Sequence, residues 1–118
     1  MNIRDYLKEY KLITDGSFGT YYRSVYQTYD MPEAANTSYP ERVLNIHASY
    51  IDAGAKLIRT NTFATNTALL STDFEVVKTN LRAAVALAKE AVADSGKDVF
   101  IAGDIGPIPG IGQLSAED

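Results

Sequence analysis

The sequence predicts an α/β chain built on a parallel sheet, and two observations carry that prediction. The first is a set of three short apolar segments, KLIT at 11–14, KLIRT at 56–60 and DVFIAG at 98–103. None alternates polar with apolar residues, which is the pattern of strands buried on both faces, as in parallel sheets. The second is the helical periodicity that separates them, because strand–helix–strand alternation argues for right-handed βαβ units. The strand ends fall near Asp15, Thr60 and Gly103, at nearly equal spacing.

The elements follow in chain order. After the first strand comes a long connection over 17–38, carrying Tyr21, Tyr22, Tyr26 and Tyr29 and then MPEAANTSYP. A short helix is expected over about 18–27, and a connection this long points to function or disorder. Arg23 is the one basic residue among the tyrosines, fewer than nucleic-acid stacking would require, so they read as a packing layer. Val43, Ile46, His47, Tyr50 and Ile51 then recur at helical spacing, with Pro40 and Glu41 suited to the first turn and Gly54 just past the end. His47 on that apolar stripe reads as a hydrogen-bonded core or interface histidine rather than a catalytic one.

Beyond the second strand, Val77, Leu81, Ala84, Val85, Ala88, Ala91 and Val92 mark a longer helix. Thr72 and Glu75 form a capping box at its start, and Gly96 is its stop. The order of helix end, glycine, lysine and strand occurs twice, as DAGAKLIRT and more loosely as DSGKDVFIAG.

Composition narrows the class. With 118 residues and 46% hydrophobic content, the chain suits one packed domain, and 22% charged residues argue against disorder. Eleven Lys and Arg against fifteen Asp and Glu give a net charge of -4 without a basic block, which argues against a nucleic-acid partner. No apolar run approaches the ~20 residues of a membrane span. The start, MNIRDYLKEYK, lacks the apolar core of a signal peptide, so a soluble cytoplasmic protein is expected. Cysteine is absent, which rules out disulfides, a thiolate nucleophile and any Cys-ligated metal within this chain. With His47 the only histidine, a His-rich metal site and most Ser-His-Asp arrangements lose support as well.

Each strand ends in a polar or glycine-rich cluster: TDGSFGT at 14–20, RTNTFATNT at 59–67 and GDIGPIPG at 103–110. A parallel α/β fold gathers such clusters on the rim where these folds bind ligands. Asp15-Gly16 is either a turn with positive φ and an Asx bond, or a pair in which Asp15 meets a ligand ammonium and nearby N–H groups meet a carboxylate. Thr60, Asn61 and Thr62 beside Phe63 make either a solvated loop or a site for a small polar ligand with an apolar arm. The stretch from Gly103 does not match G-x-G-x-x-G, and Pro107 and Pro109 remove N–H groups that an anion cradle needs. It reads as a rigid, closely packed turn, with Asp104 buried or lining the rim.

Taken together, DGSFGT, then PEAANTSYPERVLNIHASYIDAGAKLIRTNTFATN, then GDIGP resemble the start of the homocysteine S-methyltransferase family, from about Leu12 to Pro109. That family includes the homocysteine-binding module of cobalamin-dependent methionine synthases and the betaine- and S-methylmethionine-dependent enzymes. The resemblance implies a (β/α)8 TIM barrel, which takes about 250 residues. This chain then reads as its N-terminal part, a partial homocysteine-binding domain over 1–118 with about three parallel strands, truncated before the later ones.

The resemblance also implies chemistry. In the family, a zinc ion held by three cysteines from later strands binds the homocysteine sulfur as a thiolate. That thiolate attacks an activated methyl group to give methionine. Those cysteines are absent here, so no catalytic or metal residue is expected and the isolated chain is expected to be inactive. Matched position by position, Asp15 and Gly16 fall near the amino-acid group of homocysteine. Thr60, Asn61 and Thr62 fall on the same rim with Phe63 shaping the pocket, and Asp104 and Gly106 match the third motif.

Tyr21 and Tyr22 after Gly19-Thr20, and Ala64 after Phe63, depart from the residues usual in the family. The methyl donor stays open among methylcobalamin or methyltetrahydrofolate, S-methylmethionine and betaine. A partial barrel leaves a sheet edge and apolar helix faces uncovered, so pairing with the barrel remainder or self-association is expected. Two alternatives stand beside this reading. One is a short non-catalytic binding or assembly subunit that keeps a half-site, and the other is a different α/β barrel acting on a small polar substrate without zinc.

Overall fold

The computed structural model describes residues 2–108, a mostly helical α/β arrangement around a two-stranded parallel sheet. Strand β1 is Leu57–Arg59 and strand β2 is Phe100–Ala102, paired in the register Leu57 with Phe100 and Arg59 with Ala102. The KLIT segment contributes a single parallel bridge, Thr14 with Leu57, rather than a full strand. It still runs along the other edge of β1, where Lys56 N donates to Ile13 O at 2.7 Å and Asp15 N to Leu57 O at 2.9 Å. The ladder stops there because the Asp15 side chain turns to Arg59. The three segments therefore lie side by side in sequence order. The third was expected to be buried on both faces, yet all three residues of β2 are only partly buried.

The helices are α1 (Ile3–Glu9), α2 (Phe18–Tyr26), α3 (Ala35–Ser38), α4 (Pro40–Asp52), α5 (Thr67–Leu70) and α6 (Phe74–Ser95), with a 3-10 turn at Pro32–Ala34. Helix α4 starts at the expected proline and ends where expected, and Gly54 follows it with φ 110°. Helix α6 ends at Gly96, with φ 66°, a conformation that glycine adopts without the steric cost of a Cβ. Its start differs from the expected capping box: Asp73, not Thr72, is the cap, and its carboxylate accepts from Val76 N at 3.0 Å. Helices α1 and α5 are short, and no apolar periodicity marked them.

The core follows from the stripes. Ile51 of α4 and Ala55 beyond its end meet Ile58, Val99, and Ala88 and Ala91 of α6. A second cluster joins Tyr22 of α2 to Ala35, Val43, Ile46 and Leu87. Tyr22 contacts Phe18 and Tyr26 with ring centroids 6.3 and 5.2 Å away, so these tyrosines do form a packing layer. Tyr29 is the exception at 99% exposure, because the chain leaves the helix at Gln27 in the left-handed region. At the amino ends of the strands, Tyr6 of α1 packs edge-on against Phe100 and beneath Lys56, opposite the rim. No helix among the described residues is long and apolar enough to cross a membrane.

Candidate functional site

The carboxyl ends of the three parallel segments open into one cavity of about 640 Å³. Asp15 and Gly16 follow the first segment, Thr60, Asn61, Thr62 and Phe63 follow β1, and Asp104 follows β2; all line it. The start of α2 closes one side, and Met31, Pro32 and Glu33 close another. Gly106 does not line the cavity but supports it: a Cβ there would stand 2.2 Å from Phe63 O, so only glycine permits the approach. That contact agrees with the closely packed turn expected at GDIGP. Pro109 and the Gly110–Gly112 pair lie outside the described residues. A second groove of about 750 Å³ between α4 and α6 is roomier, but it lies away from the strand ends and gathers none of the expected residues.

Within the rim, most polar groups already have partners. Asp15 is buried, and its Oδ2 accepts from Arg59 N at 3.0 Å while its Oδ1 accepts from Arg59 Nε at 3.0 Å. Arg59 Nη2 donates to Gly16 O at 2.9 Å. The bond to Asp15 is the main cause that raises the Arg59 pKa above its ordinary value, so the guanidinium stays charged. Gly16 has no positive φ, which removes the positive-φ turn expected for the Asp-Gly pair. Its lack of a side chain serves Tyr50 instead, since a Cβ would come within 3.1 Å of the Tyr50 hydroxyl. That hydroxyl donates to Ser17 O at 2.7 Å, and burial, then the charge of Asp15, pushes its pKa up.

Thr60 and Thr62 tie β1 to β2. Their hydroxyls lie 2.8 Å apart, Thr62 Oγ1 donates to Asp104 O at 2.6 Å, and Asp104 N donates to Thr60 Oγ1 at 3.1 Å. Asn61 turns the other way. Its amide donates to Pro32 O at 2.9 Å and Asn36 Oδ1 at 3.0 Å, and Asn36 returns a bond of 2.8 Å to Asn61 O. Asn80 on α6 extends the network by accepting from Asn36 and Thr65 and donating to Glu33 O. Four side chains, on α3, α6 and the loop after β1, are thereby satisfied without solvent, as buried polar groups must be. Phe63 is half-exposed and supplies an apolar wall.

Three charged cavity residues were not among the candidate site residues: Arg23, Glu33 and Arg59. Only Arg59 carried a visible signal, as the one charged residue where an apolar strand meets a neutral polar cluster. Glu33 Oε1 accepts from Ala64 N at 3.1 Å, while its Oε2 is buried without a partner. His47 lies nearby, packed against Phe18 with ring centroids 5.3 Å apart. It is in the core as expected, but neither ring nitrogen has the hydrogen bond expected of it, because apolar and aromatic side chains surround it. Among the described residues, no group of three or more His, Cys, Asp or Glu side chains could hold a metal ion.

Known proteins share this fold. The homocysteine methyltransferase MmuM from Escherichia coli, in its metallated form, superposes with a TM-score of 0.75 at 21% identity, over 98% of this chain and 44% of that one. Its oxidized form gives 0.73 at 24% identity, over 89% and 40%. The chain therefore spans less than half the length of these structures, and the likeness is one of fold. The family described as Homocysteine S-methyltransferase matches residues 12–116. With nearly its whole length matched, the chain belongs to the homocysteine S-methyltransferase family.

Proposed function

We propose that the chain is the N-terminal part of a (β/α)8 barrel, truncated before the later strands, and that its cavity receives the amino-acid end of homocysteine. The observation that carries this reading is the convergence of three strand ends on one cavity, with Asp15, Gly16, Thr60, Asn61, Thr62, Phe63 and Asp104 in its walls and Gly106 beneath Phe63. Ligands of parallel α/β folds bind on this rim, and a volume of about 640 Å³ lies in the range of small-molecule sites. The buried amide network and the threonine latch hold the walls fixed, so the ligand meets a preformed surface rather than a loop it must order.

In the parent enzyme, homocysteine would be methylated on sulfur to give methionine, with the donor among those named above. The metal of that chemistry does not fit this chain, which has no cysteine and, among its described residues, no cluster of ligating side chains. Its own residues are accordingly assigned binding and orientation of the amino-acid end, and the isolated chain is assigned no turnover. Partial closure also favours pairing with the barrel remainder or with a second copy.

Titration calorimetry with L-homocysteine tests the reading. Weak, millimolar binding is expected, because nothing in this chain grips the sulfur. Absence of binding even after the remainder of the barrel is supplied in trans would refute it.

A further inference from the structure

The groove of about 750 Å³ between α4 and α6 carries a charge pattern that the packing of the two helices does not require. Leu44, Ala48 and Ala91 give it an apolar lining, and Glu41, Asp52 and Asp94 stand exposed in its walls. Asp52 is the last residue of α4, Asp94 lies in the last turn of α6, and neither helix has a basic residue in its last turn. A helix carboxyl end bears a partial negative charge and favours cations, so each of these two aspartates sits where its charge is repelled. None of the three carboxylates has an ion pair among the described residues. The neighbouring cations are engaged elsewhere: Arg42 stacks on Tyr26 and Tyr39, 4.7 and 4.0 Å from the ring centroids, and Lys97 donates to Ile51 O at 3.3 Å.

The complementary surface is on the same chain, at α1. Ile3, Tyr6 and Tyr10 share one side of it, and Tyr6 packs against Phe100. At about 100° per residue, Leu7 and then Arg4, Lys8 and Lys11 fall next to that side, while Asp5 and Glu9 fall beyond them. Leu7 is 52% exposed, and the three basic residues are exposed as well. Among the described residues only Lys8 has an ion pair, a solvated one with Asp5 at 3.3 Å, which holds it weakly. The seven residues of α1 are about 10 Å long, and α4 runs about 16 Å from Glu41 to Asp52, so the basic stripe fits within the groove.

We propose that α1 of a second copy of this chain docks into the groove, with Leu7 on the apolar lining and Arg4, Lys8 and Lys11 facing Glu41, Asp52 and Asp94. The chain's own α1 is held at the amino ends of the strands by Tyr6, against Phe100 and beneath Lys56, so the contact is between copies. The two surfaces differ, which makes the contact heterologous: each copy offers one helix and one groove, and assembly runs head to tail. Its attraction is between exposed charges and is weakened by salt, unlike association through the uncovered apolar surfaces of an open barrel. The inference gives self-pairing a defined surface and stands apart from the reading of the cavity as an amino-acid site.

Sedimentation velocity of the full chain over a range of concentrations, in about 20 mM and about 0.5 M sodium chloride, tests the contact. The wild type should form species heavier than the 12.9 kDa chain at low salt and return toward that mass at high salt. Two charge-reversed variants sharpen the test: Arg4→Glu/Lys8→Glu/Lys11→Glu on the stripe, and Asp52→Lys/Asp94→Lys in the groove. All five positions are exposed, so both variants should keep the wild-type circular dichroism. Each variant alone sets like charges against each other and should stay at the mass of one chain at low salt. Their equimolar mixture should regain the heavier species, because every stripe then finds a groove of opposite sign. The inference is overturned if the variants associate as the wild type does, or if their mixture stays at the mass of one chain. A wild type that is monomeric at low salt, or whose association is indifferent to salt, overturns it as well, and decides the question even where a variant folds poorly. Salt-indifferent association would belong to the uncovered apolar surfaces instead.

Discussion

His47 couples the stability of this fold to pH. The side chain is fully buried between α2 and α4, and neither ring nitrogen has a partner. Burial lowers its pKa from 6.5 to about 4, with the charge of Asp15 pulling weakly the other way. The unfolded chain titrates near the ordinary value, about 6.5, so it takes up a proton at a pH where the folded chain refuses one. The stabilising difference is complete above about pH 6.5 and is lost as pH falls toward 4. The linkage relation gives a loss of about 2 kcal/mol between pH 8 and pH 5, and about 3 kcal/mol by pH 4. Against a typical domain stability of about 5–15 kcal/mol, that is a large share.

Urea unfolding followed by circular dichroism at pH 8 and pH 5 measures the loss. The same pair of measurements on His47→Leu removes the contribution of other groups. The variant should retain its stability at pH 8, because two unsatisfied polar atoms are removed, and should lose about 2 kcal/mol less than wild type at pH 5. Parallel pH dependence in the two proteins would refute the reasoning.

Two further outcomes follow from the same accounting. Asn61→Ala leaves Pro32 O and Asn36 Oδ1 buried without donors, so it should destabilise the fold by about 2–4 kcal/mol in denaturant titration; a loss under 1 kcal/mol would mean that water enters and replaces the amide. Ile13, Phe63, Phe74 and Ile105 expose large apolar surfaces. Light scattering at high concentration should therefore report species heavier than the 12.9 kDa chain, and a compact, stable monomer would count against the unclosed barrel.

The parts of this fold that the sequence made legible are those fixed by local physics. Gly54 and Gly96 end their helices in the backbone region that glycine allows, and the stripe from Val43 to Ile51 faces the core as its period requires. The strand ends were legible because apolar runs stop abruptly at polar clusters. What stayed hidden depends on partners far along the chain. The Asn61 bond to Asn36 spans 25 residues, the Asn80 bond to Glu33 spans 47, and the pairing of Arg59 with Asp15 spans 44. Helices α1 and α5 escaped for a different reason: with 7 and 4 residues and no buried side chain between them, they have no apolar stripe to read.

The hydroxyls and amides of Thr60, Asn61 and Thr62 show why residue type alone does not assign a site. A strand end at a ligand rim has two needs, since its own backbone must be held where the sheet stops and the ligand must meet fixed groups. Small neutral side chains meet the first need, because they reach neighbouring carbonyls without bringing a charge that would have to be desolvated. Here they are spent on it: the threonines latch β1 to β2, and Asn61 anchors the 3-10 turn and α3. The second need falls to groups with donors left over, and the Arg23 and Arg59 guanidinium groups in the cavity wall are of that kind. In this chain the TNT motif builds the wall of the cavity, and its hydroxyls and amide are taken up by the fold itself.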